Sequence, residues 1–335
     1  MRILVIGGTV FLSHAVAAEA LHRGHEVSCL ARGTSGSVPA GARLLVADRN
    51  SPGAVAGAVR GESFDAVVDV ATMSLPWVRD ALAALADSVG HWTFISSINV
   101  YADKATTGQG IDAALLAPYL EPSGADATPE VDPDVYGAAK VASENAVREA
   151  LGARAFVLRA GLLVGPGDPH DRFGYWPARL ARGGQTLVPD ALDQPVQYLD
   201  ARDLAGWVVS AAERGLAGVF DAAGPPDTLG GVLAGIASAV GAADLELVPV
   251  SPSALLDADV SPWAGPRSLP LWLPATHHGF LSRDVSPSFA AGLTPRSLAA
   301  TSVDVLEYER SRGLDRERRA GLSAADEAEL LAKFG

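Results

Sequence analysis

Tyr136 and Lys140 stand four residues apart in the stretch DVYGAAKVASE, a spacing that can move a proton at neutral pH. On a helix, residues i and i+4 share one face about a turn apart. A free tyrosine titrates near pH 10, and a cation within a few ångströms lowers that by about 1–3 units. A shift of that size makes Tyr136 a candidate proton donor or acceptor. Ser97 closes the apolar run HWTFISS and can hydrogen-bond a substrate oxygen as negative charge develops on it. Many YxxxK spacings are surface pairs. This one uses Lys140, one of only three lysines (with Lys104 and Lys333), and follows a strand-ending Ser-Ser.

A second set of residues lies at the start of the chain. IGGTVFLSHAV follows the apolar run RILVI and precedes the helical pattern HAVAAEALHRG. That is the strand–turn–helix context of a dinucleotide-binding fingerprint, whose glycines would fall at 7, 10 and 13. The chain has Gly7, Val10 and Ser13 there. Gly7 keeps the tight turn, Ser13 is small enough for helix–strand packing, and the backbone N–H groups still point at a phosphate. A Gly-Gly turn of any α/β protein would also satisfy the pattern. At the end of the second apolar run, CLARG places Ala31 where an NAD-preferring site carries an acid, and then Arg32. A guanidinium fork suits a 2′-phosphate, which favours NADP(H) over NAD unless Arg32 is simply solvated. Asp48, in VADRN, would sit beside the adenine. Arg49 is either a second phosphate contact or exposed.

These residues need a scaffold, and the hydrophobic pattern supplies one. Buried-strand runs fall at 2–6, 26–31, 43–47, 65–71, 91–97 and 154–160, with helical patterns at 13–23, 51–60, 75–88 and 134–151. Continuous apolar strands alternating with amphipathic helices predict a parallel sheet covered on both faces, a doubly wound Rossmann α/β fold. Residues 102–133 form a long Gly/Pro/Asp/Thr-rich loop, and 161–176 reads as another loop. A short strand at 195–200, a helix at 201–215 and a strand at 218–224 follow, and 226–335 is read as helical with proline-rich breaks. The expected organisation is an NADP-binding domain over 1–160, to which 191–225 returns. Segments 161–190 and 226–335 would make a smaller C-terminal substrate-binding lobe over the carboxyl ends of the strands, where open α/β sheets bind ligands.

Composition narrows the partners. A formal charge of −13 and a pI near 4.9 disfavour nucleic acid and anionic membranes. Cys29 is the only cysteine, which excludes intramolecular disulfides and multi-cysteine metal sites and fits a reducing cytoplasm. No histidine spacing suits a metal. The N-terminal run breaks at glycine without a cleavage pattern, and no apolar stretch nears the roughly 20 residues of a membrane span. The expected partner is a small-molecule substrate, bound by a cytoplasmic monomer or homodimer. The aromatics Phe173, Tyr175 and Trp176 either wall that pocket or belong to the core, and Met73, Trp272 and the loop at 102–133 stand likewise.

GGTxFL, SSxxVY, YGxxK with Glu144 four residues on, LRxGLxVGPGD (158–168) and YLDARDLA (198–205) resemble the extended short-chain dehydrogenase/reductases. They are most similar to the NAD-dependent epimerase/dehydratase type, in a form common in actinobacteria. The resemblance spans nearly the whole chain and is more specific for fold and cofactor class than for substrate. It implies Ser97, Tyr136 and Lys140 as the catalytic set, with Lys140 also on the nicotinamide ribose. It implies cofactor contacts from Gly7, Thr9, Val10, Phe11 and Leu12, from Arg32, Asp48 and Ala71, and from the backbone around Ala160 and Leu162. Two departures matter. Leu162 stands where the nucleotide-sugar epimerases carry Asn, and Val196 where they carry Arg, so neither can grip a diphosphate. Ile98 and Asn99 follow Ser97 where sugar dehydratases have Asp-Glu. The expected protein is an NADP(H)-dependent oxidoreductase acting on a carbonyl or alcohol carbon, with a setting in specialised metabolism. A sugar epimerase and a non-catalytic dinucleotide sensor are the rival readings.

Overall fold

The first strand shows why the apolar runs are continuous. Successive side chains of β1 (Arg2–Ile6) point to opposite faces, and both faces are covered. Ile3 and Val5 pack with the apolar side chains of one helical layer, Leu4 and Ile6 with those of the other. The computed structural model describes residues 1–70, 74–120 and 132–334. Its first half runs α1 (Phe11–His22), β2 (Glu26–Ala31), β3 (Arg43–Val46), α2 (Ala54–Ala58), β4 (Ala66–Asp69), α3 (Leu75–Leu85), β5 (His91–Ser97), α4 (Pro133–Leu151) and β6 (Ala155–Ala160).

The second half holds β7 (Leu163–Val164), α5 (Arg172–Leu180), β8 (Gln185–Pro189), β9 (Pro195–Val196), β10 (Leu199–Asp200), α6 (Ala201–Arg214) and β11 (Gly218–Ala222). After these come β12 (Asp227–Thr228), α7 (Leu229–Val240), β13 (Glu246–Val250), α8 (Pro252–Asp257), α9 (Ser286–Ala290), α10 (Leu298–Arg312) and α11 (Ala324–Phe334). Seven strands form one parallel sheet in the order β3-β2-β1-β4-β5-β6-β11. This is the doubly wound Rossmann architecture. Helices α1 and α6 pack on one face, where Phe156, Trp207 and Phe220 meet edge to face. Helices α2, α3 and α4 cover Trp92, Phe94 and Val157 on the other. Each fully buried side chain of this size contributes about 1.5–3 kcal/mol. The strand order reverses between β1 and β4, so a crevice opens at their carboxyl ends.

A second apolar cluster draws on Leu162, Phe173, Trp176, Leu187, Val232 and Leu271. Two expectations are corrected there. The stretch 161–176 is not simply a loop: β7 and the start of α5 lie in it. Gly174 and Pro177 hide that helix from the sequence pattern, and Gly174 packs tightly on Glu309, 3.1 Å from where its Cβ would be. Nor is 226–335 wholly helical, since β13 pairs in parallel with β8. The strand expected at 195–200 is two strands in separate pairs, β9 with β12 and β10 with β7. Phe173, Tyr175, Trp176 and Trp272 are buried core, and the Trp176 indole donates to the Pro270 carbonyl (2.9 Å). Among the described residues, no helix is long and apolar enough to cross a membrane.

Candidate active site

Helix α4 brings the tyrosine and lysine to the sheet. Asp132 caps its start, accepting from the N–H groups of Asp134 and Val135 (3.1 and 3.0 Å), and Pro133 occupies its first turn. The glycine after Tyr136 is required by packing. A Cβ on Gly137 would overlap the carbonyl oxygen of Asn99, so the Tyr136 turn seats directly on the segment after Ser97. Lys140 is buried; its ammonium donates to the Ile95 carbonyl (2.8 Å) and lies 5.7 Å from the Tyr136 ring centroid and 5.1 Å from that of Phe94. Burial pulls its pKa down to about 7, against the Asp69 and Glu144 carboxylates, which favour the charged form. Ser97 lies two residues beyond Ile95 on β5. Its hydroxyl donates to Asn99 Oδ1 (2.9 Å) and accepts from the Asn99 N–H (3.2 Å). Asn99 is therefore a partner that residue spacing did not single out.

The turn after β1 accommodates Val10 and Ser13 where the fingerprint has glycines. Val10 has φ −140°, extended backbone open to any residue. Ser13 is buried, and its Cβ lies 3.0 Å from where a Gly7 Cβ would be, while its hydroxyl donates to the Val10 carbonyl (2.8 Å). Gly8 cannot be replaced: φ is +95°, and a Cβ would overlap the Cys29 sulfur. Phe11 begins α1 at φ +43°, and Leu12 is buried beside it. No side chain caps α1 and no acid lies in its first turn. Those features fit an anionic dinucleotide: the N–H groups of the turn and helix start are free of a side-chain cap. The loop after Arg32 closes over this turn, with Thr9 O 2.6 Å from where a Gly36 Cβ would be.

Arg32 and Asp48 are both exposed at the carboxyl ends of their strands, and Arg32 makes no ion pair among the described residues. Arg49 is not the solvated residue of one of its two readings. Its guanidinium turns inward onto Asp69 (3.0 and 3.4 Å) and the Trp77 carbonyl (2.8 Å). A carboxylate with no exposure at the end of β4 requires a cation, and Arg49 supplies it. The acid ending the apolar run AVVD was the sequence signal for this pair. Ala160 is buried at the end of β6. The Leu162 side chain joins the second apolar cluster, and its carbonyl accepts from the Leu199 N–H (2.9 Å). Ala71 and Met73 lie outside the described residues.

A Rossmann sheet with a glycine turn at β1, a strand-ending serine and a Tyr/Lys pair on the next long helix defines the extended short-chain dehydrogenase/reductase class. Residues 3–221 match the NAD dependent epimerase/dehydratase family, and the chain belongs to that family. It is 30% identical over 222 residues to a 3-diazoavenalumate denitrifying reductase of a Streptomyces species, covering 64% of this chain and 72% of that protein. The fold is shared with UDP-glucose 4-epimerase of Thermotoga maritima in complex with UDP-glucose (TM-score 0.65, 17% identity, 93% of this chain and 99% of that one). It is shared equally with UDP-glucuronic acid 4-epimerase of Bacillus cereus in complex with NAD (TM-score 0.63, 14% identity, 93% and 99%). The chain is thus an enzyme of the short-chain dehydrogenase and epimerase/dehydratase class.

Proposed function

We propose that this enzyme is an NADP(H)-dependent reductase of a small molecule without a nucleotide-diphosphate handle. The observation that carries the reading is the buried Lys140 ammonium, held by the Ile95 carbonyl beside the Tyr136 ring. The 7–12 turn and Arg32 would hold the dinucleotide, and Lys140 its nicotinamide ribose. The bound nicotinamide supplies or accepts the hydride. Tyr136 gives its phenolic proton to the substrate oxygen. Lys140, charged, stabilises the phenolate left behind. Ser97 redirects its hydroxyl from Asn99 Oδ1 to the same oxygen, and the Asn99 N–H keeps the serine in place meanwhile.

Two further observations support the substrate class. Leu162 and Val196 are both buried in the second apolar cluster, where no diphosphate could be solvated or paired. The Streptomyces relative is by name a reductase, which favours net reduction over epimerisation.

Fluorescence titration with NADPH and NADH tests the cofactor. Arg32→Ala removes a charge-assisted contact of about 1.5–3 kcal/mol, so NADPH should weaken by about ten- to a hundredfold and NADH barely. Equal wild-type affinities would overturn the NADP reading, and no binding of either would overturn the enzyme reading. NADPH loss is then followed with a panel of aldehydes, ketones and an aryl diazo compound. Tyr136→Phe should lower the rate by about 10²–10⁴-fold. Tightly held cofactor with no net NADPH consumption would instead mark an epimerase, and full cellular function in Tyr136→Phe a sensor.

A further inference from the structure

One layer beneath the catalytic level lies a row of polar side chains that this chemistry leaves unused. Ser96, Arg159 and Asp221 occupy aligned positions on three neighbouring strands, β5, β6 and β11, each one residue before its strand ends. A sheet interior at that depth is normally apolar, and all three are buried. Glu144 reaches the row from α4, one turn beyond Lys140. It accepts from the Ser96 hydroxyl (2.6 Å) and from Arg159 Nε and Nη2 (3.1 and 2.9 Å). Arg159 Nη1 also donates to the Tyr101 hydroxyl (2.9 Å), which donates in turn to Asp221 Oδ1 (2.6 Å). The second Asp221 oxygen takes Arg283 Nε (3.1 Å), and the Arg283 guanidinium lies 3.4 Å from the Tyr101 ring centroid.

Arg283 comes from the C-terminal segment and is clamped at both ends. Its N–H donates to Gln197 Oε1 (2.6 Å), its carbonyl accepts from Gln197 Nε2 (2.9 Å), and its Nη2 donates to the Gly110 carbonyl (2.6 Å). Two carboxylates and two guanidiniums balance. Such an array is weak as a source of stability, since well-packed apolar residues would do as well. What it provides is register: the bonds close only when β5, β6, β11, α4 and the 283 segment stand in one arrangement.

We propose that Arg283 is a positioning residue for the catalytic set, acting through Asp221, Tyr101, Arg159 and Glu144 to hold the end of β5 and the Lys140 turn of α4 in register. What the set does once aligned rests on the reductase reading; the alignment itself does not. The segment that carries Arg283 therefore governs turnover from a side chain that touches neither cofactor nor substrate.

The test compares Arg283→Met, which keeps the stem and removes the fork, with Arg283→Lys, which keeps charge without the planar fork. Arg296→Met is the control, because it cuts another arginine tie of the same segment, to Asp203 on α6 (2.8 Å). Arg283→Met should lower kcat for NADPH-dependent reduction about tenfold or more, with KM and the NADPH Kd within about threefold of wild type. Lysine should recover only part of that, and Arg296→Met should leave kcat unchanged at a similar loss of thermal stability. If Arg283→Met does not fold, Tyr101→Phe removes only the hydroxyl link and should act in the same direction. A kcat within about twofold of wild type, an equal fall in Arg296→Met, or a parallel loss of NADPH affinity would each overturn the proposal. If wild type binds NADPH but reduces nothing in the panel, the reductase reading fails and the alignment is read directly. The exchange rate of the amide hydrogens in the Tyr136–Lys140 turn should then shift upward about tenfold in Arg283→Met and not in Arg296→Met. No shift would overturn the positioning role.

Discussion

On the proposed mechanism, the ammonium of Lys140 makes activity and stability run in opposite directions with pH. Burial lowers its pKa from 10.5 to about 7, so the folded protein carries this charge below about pH 7 and sheds it above. In the proposed reduction the phenolate left on Tyr136 would need that charge, so the rate should fall as pH rises through about 7. Stability follows the other sign. Between about 7 and 10.5 the unfolded chain binds the proton that the folded chain has lost, so this group's contribution to stability rises with pH across that window. Rate–pH profiles and urea midpoints across the same range check both, and Lys140→Met should remove both dependences. A rate that climbs through pH 7 would remove the lysine from its role beside Tyr136. This much of the site was legible in the sequence, because i and i+4 spacing needs nothing but a helix. Arg49 was not legible in the same way. The spacing set it beside Asp48 at the end of β3, but its direction depended on a buried acid in β4 and a carbonyl at the start of α3, both remote in sequence.

At the scale of elements, the critical contact is the seating of α4 on the segment after β5. Gly137→Ala tests it, because the added methyl would overlap the Asn99 carbonyl and stand 2.8 Å from Leu116 Cδ1. Helix propensity favours alanine, so any loss comes from the contact. The expected loss is about 1–3 kcal/mol in chemical unfolding, the usual range for overpacking. Turnover should fall with it, while NADPH affinity, on the proposed reading held mainly at the β1 turn and Arg32, should change by less. A variant more stable than wild type would show that α4 is not seated as described. The elements that position the site were the readable ones: β1, β2 and β5 end where the apolar runs end, and α4 starts one residue before its pattern. Buried on both faces, those strands leave a continuous apolar signature. The elements of the second cluster do not. Helix α5 carries Gly174 and Pro177 inside it, and β13 is half-buried and pairs with a strand some 60 residues away. Neither periodicity nor local propensity records a partner at that separation.

Over the whole molecule, the apolar layers on the two faces of the sheet and the cluster around Trp176 account for most of the cohesion, and a few buried charges for the uniqueness of the arrangement. Arg159 and Glu144 form one of the two nearly sealed pairs that bear on the site, with side chains 3% and 1% exposed, beside Arg283 and Asp221 at 1% and 0%. Removing one partner leaves the other charge stranded, which costs about 3–5 kcal/mol. Arg159→Met should show a loss of that order, and Arg159→Met with Glu144→Met a loss well short of the sum of the two single changes, because no charge then remains to be compensated. The pH dependence separates this from simple loss of packing. In Arg159→Met the stranded Glu144 carboxyl is favoured in its neutral form, so its folded pKa lies above the unfolded one. The folded state then holds the extra proton, and the defect is fully expressed near neutral pH and shrinks as pH falls below that raised value. Urea unfolding of the variant at about pH 7 and about pH 5 should show the gap to wild type narrowing at the lower pH. A gap independent of pH would mean that Arg159 acts through its packed stem, and that the row across β5, β6 and β11 holds its register without the charge.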